Sequence, residues 1–203
     1  MVSPGNIKIL VAFEHTGSIA SEFHKKGFNV TSCDLKPQNC PWYHVEGNVF
    51  DLLSLDFDFL FAFYPCTFLA KAQTGLVLNS KNRYLSMLNA VAEVKRIFNS
   101  SIPRIAMENP VGLLSRMYRK PDQIVYPWYF GDPYRKEICL WFKNCPPVLA
   151  TCYNPVRKSI SNHVNSRMSQ AEKSEIRSSW KFYPRMSEAL VHQYSSWLLK
   201  DIK

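Results

Sequence analysis

The stretch Phe59–Phe68, FLFAFYPCTF, constrains the fold more than any other part of the chain. It opens with five apolar residues, breaks at Pro65, and Cys66 follows at once. An apolar run this short, closed by proline, reads as a strand buried on both faces and so central in a parallel sheet. Reacting groups in open α/β sheets collect beyond the carboxyl ends of strands. Cys66 therefore stands where a nucleophile would stand. A packed thiol fits the same position, because free cysteine is among the most buried side chains.

Two further stretches bear on that choice. Ile7–Phe13, IKILVAF, reads as a first, internal strand. Glu14-His15-Thr16-Gly17-Ser18 follows, with Thr16 or Ser18 placed to cap a helix that carries Ile19 and Phe23 on one face and ends at Gly27. Asn29–Leu35, NVTSCDL, is a second strand ending near Asp34. Strand, glycine-containing turn, helix and strand ending in an acid outline a nucleoside-cofactor half-domain. In that reading the Gly17 turn lets backbone approach a ligand, and Asp34 accepts hydrogen bonds from ribose hydroxyls. Gly17 as a plain turn residue and Asp34 as a strand-end cap fit equally well. A Pro-, Asn- and Gln-rich loop extends through about residue 46, and Asp51 heads a short strand or turn. The other stretch is Ile105–Pro110: a short strand Ile105–Met107 closed by Glu108-Asn109-Pro110, again with a carboxylate at a strand's end.

Between them, Lys71–Asn82 is polar, and a helix is expected over roughly Asn82–Phe98. Tyr84, Leu85, Leu88, Val91, Ala92 and Phe98 recur at helical spacing and read as its core face. Val111–Tyr118 suits a short helix. Residues 119–152 gather Tyr126, Trp128, Tyr129, Phe130, Tyr134, Trp141 and Phe142 with Arg119, Lys120, Arg135, Lys136 and Lys143. Gly131-Asp132-Pro133 breaks this run, which predicts an antiparallel hairpin near 124–143. Aromatics interleaved with cations suit base stacking and phosphate contact; a sheet edge with its own apolar face is the plainer alternative. Val156–Arg177 is polar and basic and is expected to be a mobile loop, partly helical near Gln170–Arg177. A last helix over Met186–Leu199 follows Pro184, with Leu190, Tyr194, Trp197 and Leu198 on one side.

The 203 residues suffice for one domain with its own core. Residues 1–66 hold 4 basic and 7 acidic groups, whereas residues 67–203 hold 21 basic and 9 acidic, a net of +12. That asymmetry suggests a polyanionic partner such as nucleic acid, or a solvated basic face. The six cysteines, at 33, 40, 66, 139, 145 and 152, are expected as free thiols, and their spacings are too wide for a zinc knuckle. No apolar run long enough to span a membrane and no signal-peptide pattern is visible, so the expected location is cytoplasmic, or host cytoplasm for a viral protein.

Together the three sites resemble the DNA cytosine-C5 methyltransferases, and most of all the short, phage-type members. In that family one strand ends in Pro-Cys, matched by Pro65-Cys66, and a later one in Glu-Asn-Val, matched by Glu108-Asn109-Pro110. Phe13-Glu14-His15-Thr16-Gly17-Ser18 matches the family's Phe-x-Gly-x-Gly-Gly turn at Phe13 and Gly17. Asp34 matches the acid after strand two, and Asp51 lies where the family contacts adenine. The helix beginning near Tyr183-Pro184 resembles the last motif. The likeness covers roughly residues 7–148 and 183–199. Tyr64 stands where the family commonly has Pro, and no Gln-x-Arg-x-Arg motif is found. The large target-recognition domain is missing, so that within a single domain spanning 1–203 only 144–182 could act as a reduced recognition insert.

The resemblance implies a Rossmann-like S-adenosylmethionine-dependent methyltransferase fold, α/β, mainly parallel with an antiparallel hairpin. It implies Cys66 and Glu108 as catalytic residues and Phe13 to Ser18, Asp34 and Asp51 around S-adenosylmethionine. It further implies Pro65, Asn109 and Pro110 beside the base, with Arg135, Lys136 and Lys143 on nucleic acid, and no metal. The thiol of Cys66 would need a lowered pKa, supplied by nearby positive charge or N–H groups. The expected activity is methylation of cytosine C5 in DNA through a covalent cysteine adduct. Two alternatives remain: the same chemistry on a deoxycytidine nucleotide or single strand, and an inactive methyltransferase fold that binds nucleic acid or a protein partner. A homo-oligomer is neither required nor excluded by the sequence.

Overall fold

A computed structural model describes residues 2–152, 169 and 183–202. The loop and partial helix expected over Val156–Arg177, and most of the 144–182 insert, lie outside the described residues.

Seven strands are described: β1 (Lys8–Ala12), β2 (Asn29–Asp34), β3 (Tyr43–Glu46), β4 (Phe59–Phe63), β5 (Ile105–Pro110), β6 (Gln123–Val125) and β7 (Ile138–Lys143). They form one sheet in the order β3-β2-β1-β4-β5-β7-β6. The first five run parallel, and β7 pairs antiparallel with both β5 and β6. Five α-helices are described: α1 (Ser18–Lys25), α2 (Thr74–Leu78), α3 (Lys81–Phe98), α4 (Leu114–Met117) and α5 (Pro184–Asp201). This is an α/β fold consistent with the Rossmann-like methyltransferase architecture. None of the described helices is long and apolar enough to cross a membrane.

The central strands are apolar along most of their length because both sheet faces are covered. Side chains alternate between faces along a strand. Leu10, Ala12, Leu60, Ala62, Ile105 and Met107 pack on one side with Met87, Val91 and Val94 of α3. Ile9, Val11, Phe59, Phe61 and Ala106 pack on the other with Ile19 and Phe23 of α1 and Leu190, Tyr194 and Leu198 of α5. Burying each such large side chain contributes about 1.5–3 kcal/mol. The α5 stripe falls as its spacing indicates, with the Tyr194 ring 5.3 Å from Phe59.

Four expectations are corrected. The loop through residue 46 contains β3, an edge strand with no fully buried residue. The α3 core face is Met87, Ala90, Val91, Val94, Ile97 and Phe98, whereas Tyr84, Leu85 and Leu88 are exposed, as is Ala92. Neither Thr16 nor Ser18 caps α1; Glu14 does, through contacts described below. Trp128, Tyr129 and Phe130 belong to a 3-10 turn, Pro127–Phe130, in the connection between β6 and β7. Pro127 has no N–H for a ladder, and Gly131, at φ 95°, closes the turn in a left-handed conformation.

Candidate active site

Cys66 and Glu108 meet because their strands are neighbours in register. Phe63, the last residue of β4, pairs with Glu108 of β5 at the carboxyl edge of the parallel strands. Beyond that edge the two chains stay paired. Lys71 donates its N–H to the Val111 carbonyl at 2.9 Å, Leu113 donates to Leu69 at 2.7 Å, and Ala70 bridges Gly112. The approach is so close that a Cβ on Gly112 would lie 1.9 Å from the Leu69 carbonyl oxygen. The Cys66 carbonyl accepts from Leu69 and Ala70 at 3.0 and 2.9 Å, which winds the turn that follows Pro65.

Tyr64 and Asn109 tie this turn to the sheet. Asn109, fully buried, donates its side-chain N–H to the Tyr64 carbonyl at 2.6 Å. Its Oδ1 is buried with no hydrogen-bond partner. The Asn109 amide thus braces the Pro65-Cys66 turn. Pro65 is exposed at the rim, and Pro110 is half-buried opposite Ile138.

The electrostatics centre on one cation. Desolvation raises the Glu108 carboxyl above its usual range, and Lys136 opposes that. Cys66 as a residue is exposed, yet desolvation of its sulfur pushes the thiol up, with the Glu108 carboxylate adding to this and Lys136 pulling the other way. Lys136 therefore acts in the direction expected of a nearby positive charge, but it does not outweigh burial. β7 pairs its first residue, Ile138, with Pro110, so the preceding Arg135 and Lys136 reach the carboxyl edge. Lys143 does not: it pairs with Ile105 at the opposite edge, and its Nζ donates to the Ser100 carbonyl at 2.8 Å. Trp141 is fully buried, its indole N–H bonded to the Arg119 carbonyl at 3.0 Å, and Phe130 is buried too. Neither ring presents a stacking face.

The turn after β1 begins with Phe13 at φ 60°, an unusual conformation for a non-glycine residue. Its ring meets Tyr64 at 5.4 Å and Phe50 at 6.1 Å. Glu14 is buried and accepts N–H bonds from Ile19 at 2.6 Å and Ala20 at 3.1 Å, so the start of α1 is neutralised from within the chain. Burial nevertheless raises its pKa to about 7. His15 and Thr16 are exposed, and the Thr16 and Ser18 hydroxyls lie 2.9 Å apart. Gly17, at φ 69°, has Gln38 and Trp42 packed where a Cβ would stand, and Gln38 donates to the His15 carbonyl at 2.9 Å. The close approach that requires glycine here is thus to protein side chains. Asp34 spends Oδ1 on the Lys36 N–H at 3.0 Å. Asp34 and the exposed Asp51 both raise the Cys33 thiol, after burial, which reaches about 11. The two acids therefore share the carboxyl end of β2.

A cleft of about 310 Å³ opens beside the Gly17 turn, lined by Thr16, Ser18, Glu22, Trp42, Pro184 and Ser187 among others. Asp132 accepts from the Met186 N–H at 2.8 Å and so seats the start of α5 at this cleft. The cleft presents hydroxyls that can donate or accept and the Glu22 carboxylate, which accepts and is paired with Lys25, and its volume lies in the usual range for small-ligand sites, about 300–1,000 Å³. The contributions of Ser187, Gly112 and Trp42 were missed from sequence; the small residues of Asn-Pro-Val-Gly after Glu108 were the available signal for Gly112. Among the described residues no group of three His, Cys, Asp or Glu could hold a metal ion.

No protein-family model and no curated protein matches the chain. Among solved structures it is similar to an E. coli protein named as a candidate DNA modification methyltransferase encoded within a prophage. The identity is 13%, the TM-score 0.45, and the match covers 70% of this chain and 53% of that one. The chain thus spans about half the length of that protein.

Proposed function

We propose that the chain is a methyltransferase acting on C5 of cytosine in DNA, with Cys66 as nucleophile and Glu108 as the acid that holds the base. The observation that carries this reading is the convergence of Cys66, Glu108 and Lys136 at one strand edge. The Cys66 sulfur bonds to C6 of a cytosine turned out of its stack. Desolvation raises the Glu108 carboxyl above its usual range, which favours the protonated form that donates to N3 as the negative charge develops there. Thiolate and carboxylate this close resist ionising together, so a neutral Glu108 also eases ionisation of Cys66. Lys136 offsets the single negative charge they share. C5, now enamine-like, is ready for an electrophile. Bound S-adenosylmethionine would supply an activated methyl group from the cleft formed by Thr16, Ser18, Glu22 and Ser187. Solvent takes the C5 proton, the C6–S bond breaks, and Glu108 recovers its proton.

DNA containing 5-fluorocytosine tests the reading. Fluorine at C5 cannot leave as a proton, so with cofactor present the protein should be trapped covalently through Cys66. Cys66→Ser should abolish the band and Glu108→Gln should slow its formation. No adduct on duplex, single strand or free nucleotide would exclude the C5 mechanism for this chain.

A further inference from the structure

We infer that Tyr64 is the positioning residue for Cys66, acting as a clamp between α3 and β5 through the Tyr64–Glu93 and Tyr64–Asn109 hydrogen bonds. The inference rests on Cys66 being the reactive group proposed above.

Tyr64 follows the end of β4 and precedes Cys66 by two residues. At that place the chain leaves its sheet ladder, so nothing in the strand itself fixes where the next residues go. Tyr64 supplies the missing restraints in three directions. Its hydroxyl donates to Glu93 Oε2 of α3 at 2.5 Å. Its carbonyl accepts from Asn109 of β5 at 2.6 Å. Its buried ring packs edge-on against Phe13 at the end of β1. A buried carbonyl and a part-buried phenol are thus both satisfied, and each bond leads to a different element. Pro65 then allows little rotation before Cys66.

The placement fixed by this clamp sets what the Cys66 sulfur faces: Glu108 from β5 and Lys136 from the segment before β7. A released turn would let the thiol move into solvent, away from the desolvating walls and the carboxylate that raise its pKa. Glu93 itself is exposed at the surface of α3, so substitutions there need not disturb the core.

The test is the pH profile of Cys66 alkylation by iodoacetamide, read by peptide mapping in the full chain, which needs neither cofactor nor DNA. Tyr64→Phe and Glu93→Ala should both shift the profile downward, toward that of a free thiol. Their combination should shift it no further than either alone. Glu93→Gln, which keeps an acceptor, should restore the wild-type profile. A purely structural role would lower the thermal midpoint and leave the profile unchanged; wild-type profiles in Glu93→Ala and Tyr64→Phe would overturn the inference. Should Tyr64→Phe fail to fold, the Glu93 pair decides alone. Failure of the fluorocytosine trap with a shifted profile would sink the methylation reading and keep the clamp.

Discussion

The Leu69 carbonyl and Gly112 lie so close that a single added carbon on Gly112 would fall 1.9 Å from the oxygen. This contact joins the segment after Cys66 to the segment after Glu108, beyond the last register pair of β4 and β5. The two halves of the candidate site are therefore held by backbone on both sides of Cys66 and Glu108.

Gly112→Ala should separate these segments. The obstruction is backbone, which cannot swing aside like a side-chain tip, so a loss of about 1–3 kcal/mol is expected from overpacking. Cys66 adduct formation should fall with it. Gly75→Ala is the control: it lies in α2 with open space around it and should gain about 0.5–1 kcal/mol from helix propensity. Urea unfolding of the two variants checks both signs; a neutral Gly112→Ala would show that the segments part without cost.

Glu14 should make stability fall as pH rises. Its folded pKa, about 7, exceeds the ordinary 4.5, so between those values the folded chain binds more protons than the unfolded chain. Protonation therefore favours the native state, opposite to the usual salt-bridged carboxylate. The contribution is fully present below pH 4.5 and is lost by pH 7, roughly 3 kcal/mol in all. Glu14→Gln should remove this slope. Chemical denaturation at half-unit pH steps, wild type against variant, measures it; parallel curves across pH 4.5–7 would refute it.

Lys136→Gln should raise the Cys66 thiol and the Glu108 carboxyl together, because the same ammonium lowers both. Alkylation of Cys66 should then move to higher pH, opposite to the shift expected for the Tyr64 variants. A downward or absent shift would mean that Lys136 does not face the thiol in solution.

Binding to DNA should weaken as salt rises, since phosphate contacts release condensed cations. Reversing Arg135 or Lys136 to Glu should flatten the slope of log affinity against log salt by about one each. Lys143→Glu should leave it unchanged. Anisotropy titrations decide, and equal effects at Lys143 and Arg135 would contradict the placement.

β1, β4 and β5 were legible because each is a short apolar run closed by a polar or proline residue, and β2, which is not apolar, was legible from its place between the helix end at Gly27 and Asp34. α5 was legible because its apolar residues form one stripe. α3 was misread because it carries two. Tyr84, Leu85 and Leu88 have the same periodicity as Met87, Val91 and Val94, and only packing against the sheet decides which stripe is buried. The cap of α1 escaped because Glu14 lies four residues before Ser18, outside the usual capping position. Cys66 and Glu108 were found as strand ends, but their shared proximity to Lys136 depends on which strand β7 joins, and no local pattern encodes that.

β7 enters the sheet backwards, and this sorts its charges. A strand that runs against its neighbours delivers its beginning to the rim where they deliver their ends. Lys136, before the strand, arrives at the pole that carries Cys66 and Glu108; Lys143, at its close, arrives at the other. At about 3.4 Å per residue the strand's own ends, Ile138 and Lys143, stand roughly 17 Å apart. The cations flanking and closing β7 are therefore divided between two poles, and a polyanion meeting either one encounters only its share. Composition counts the cations, but strand direction determines which of them can act on the same ligand.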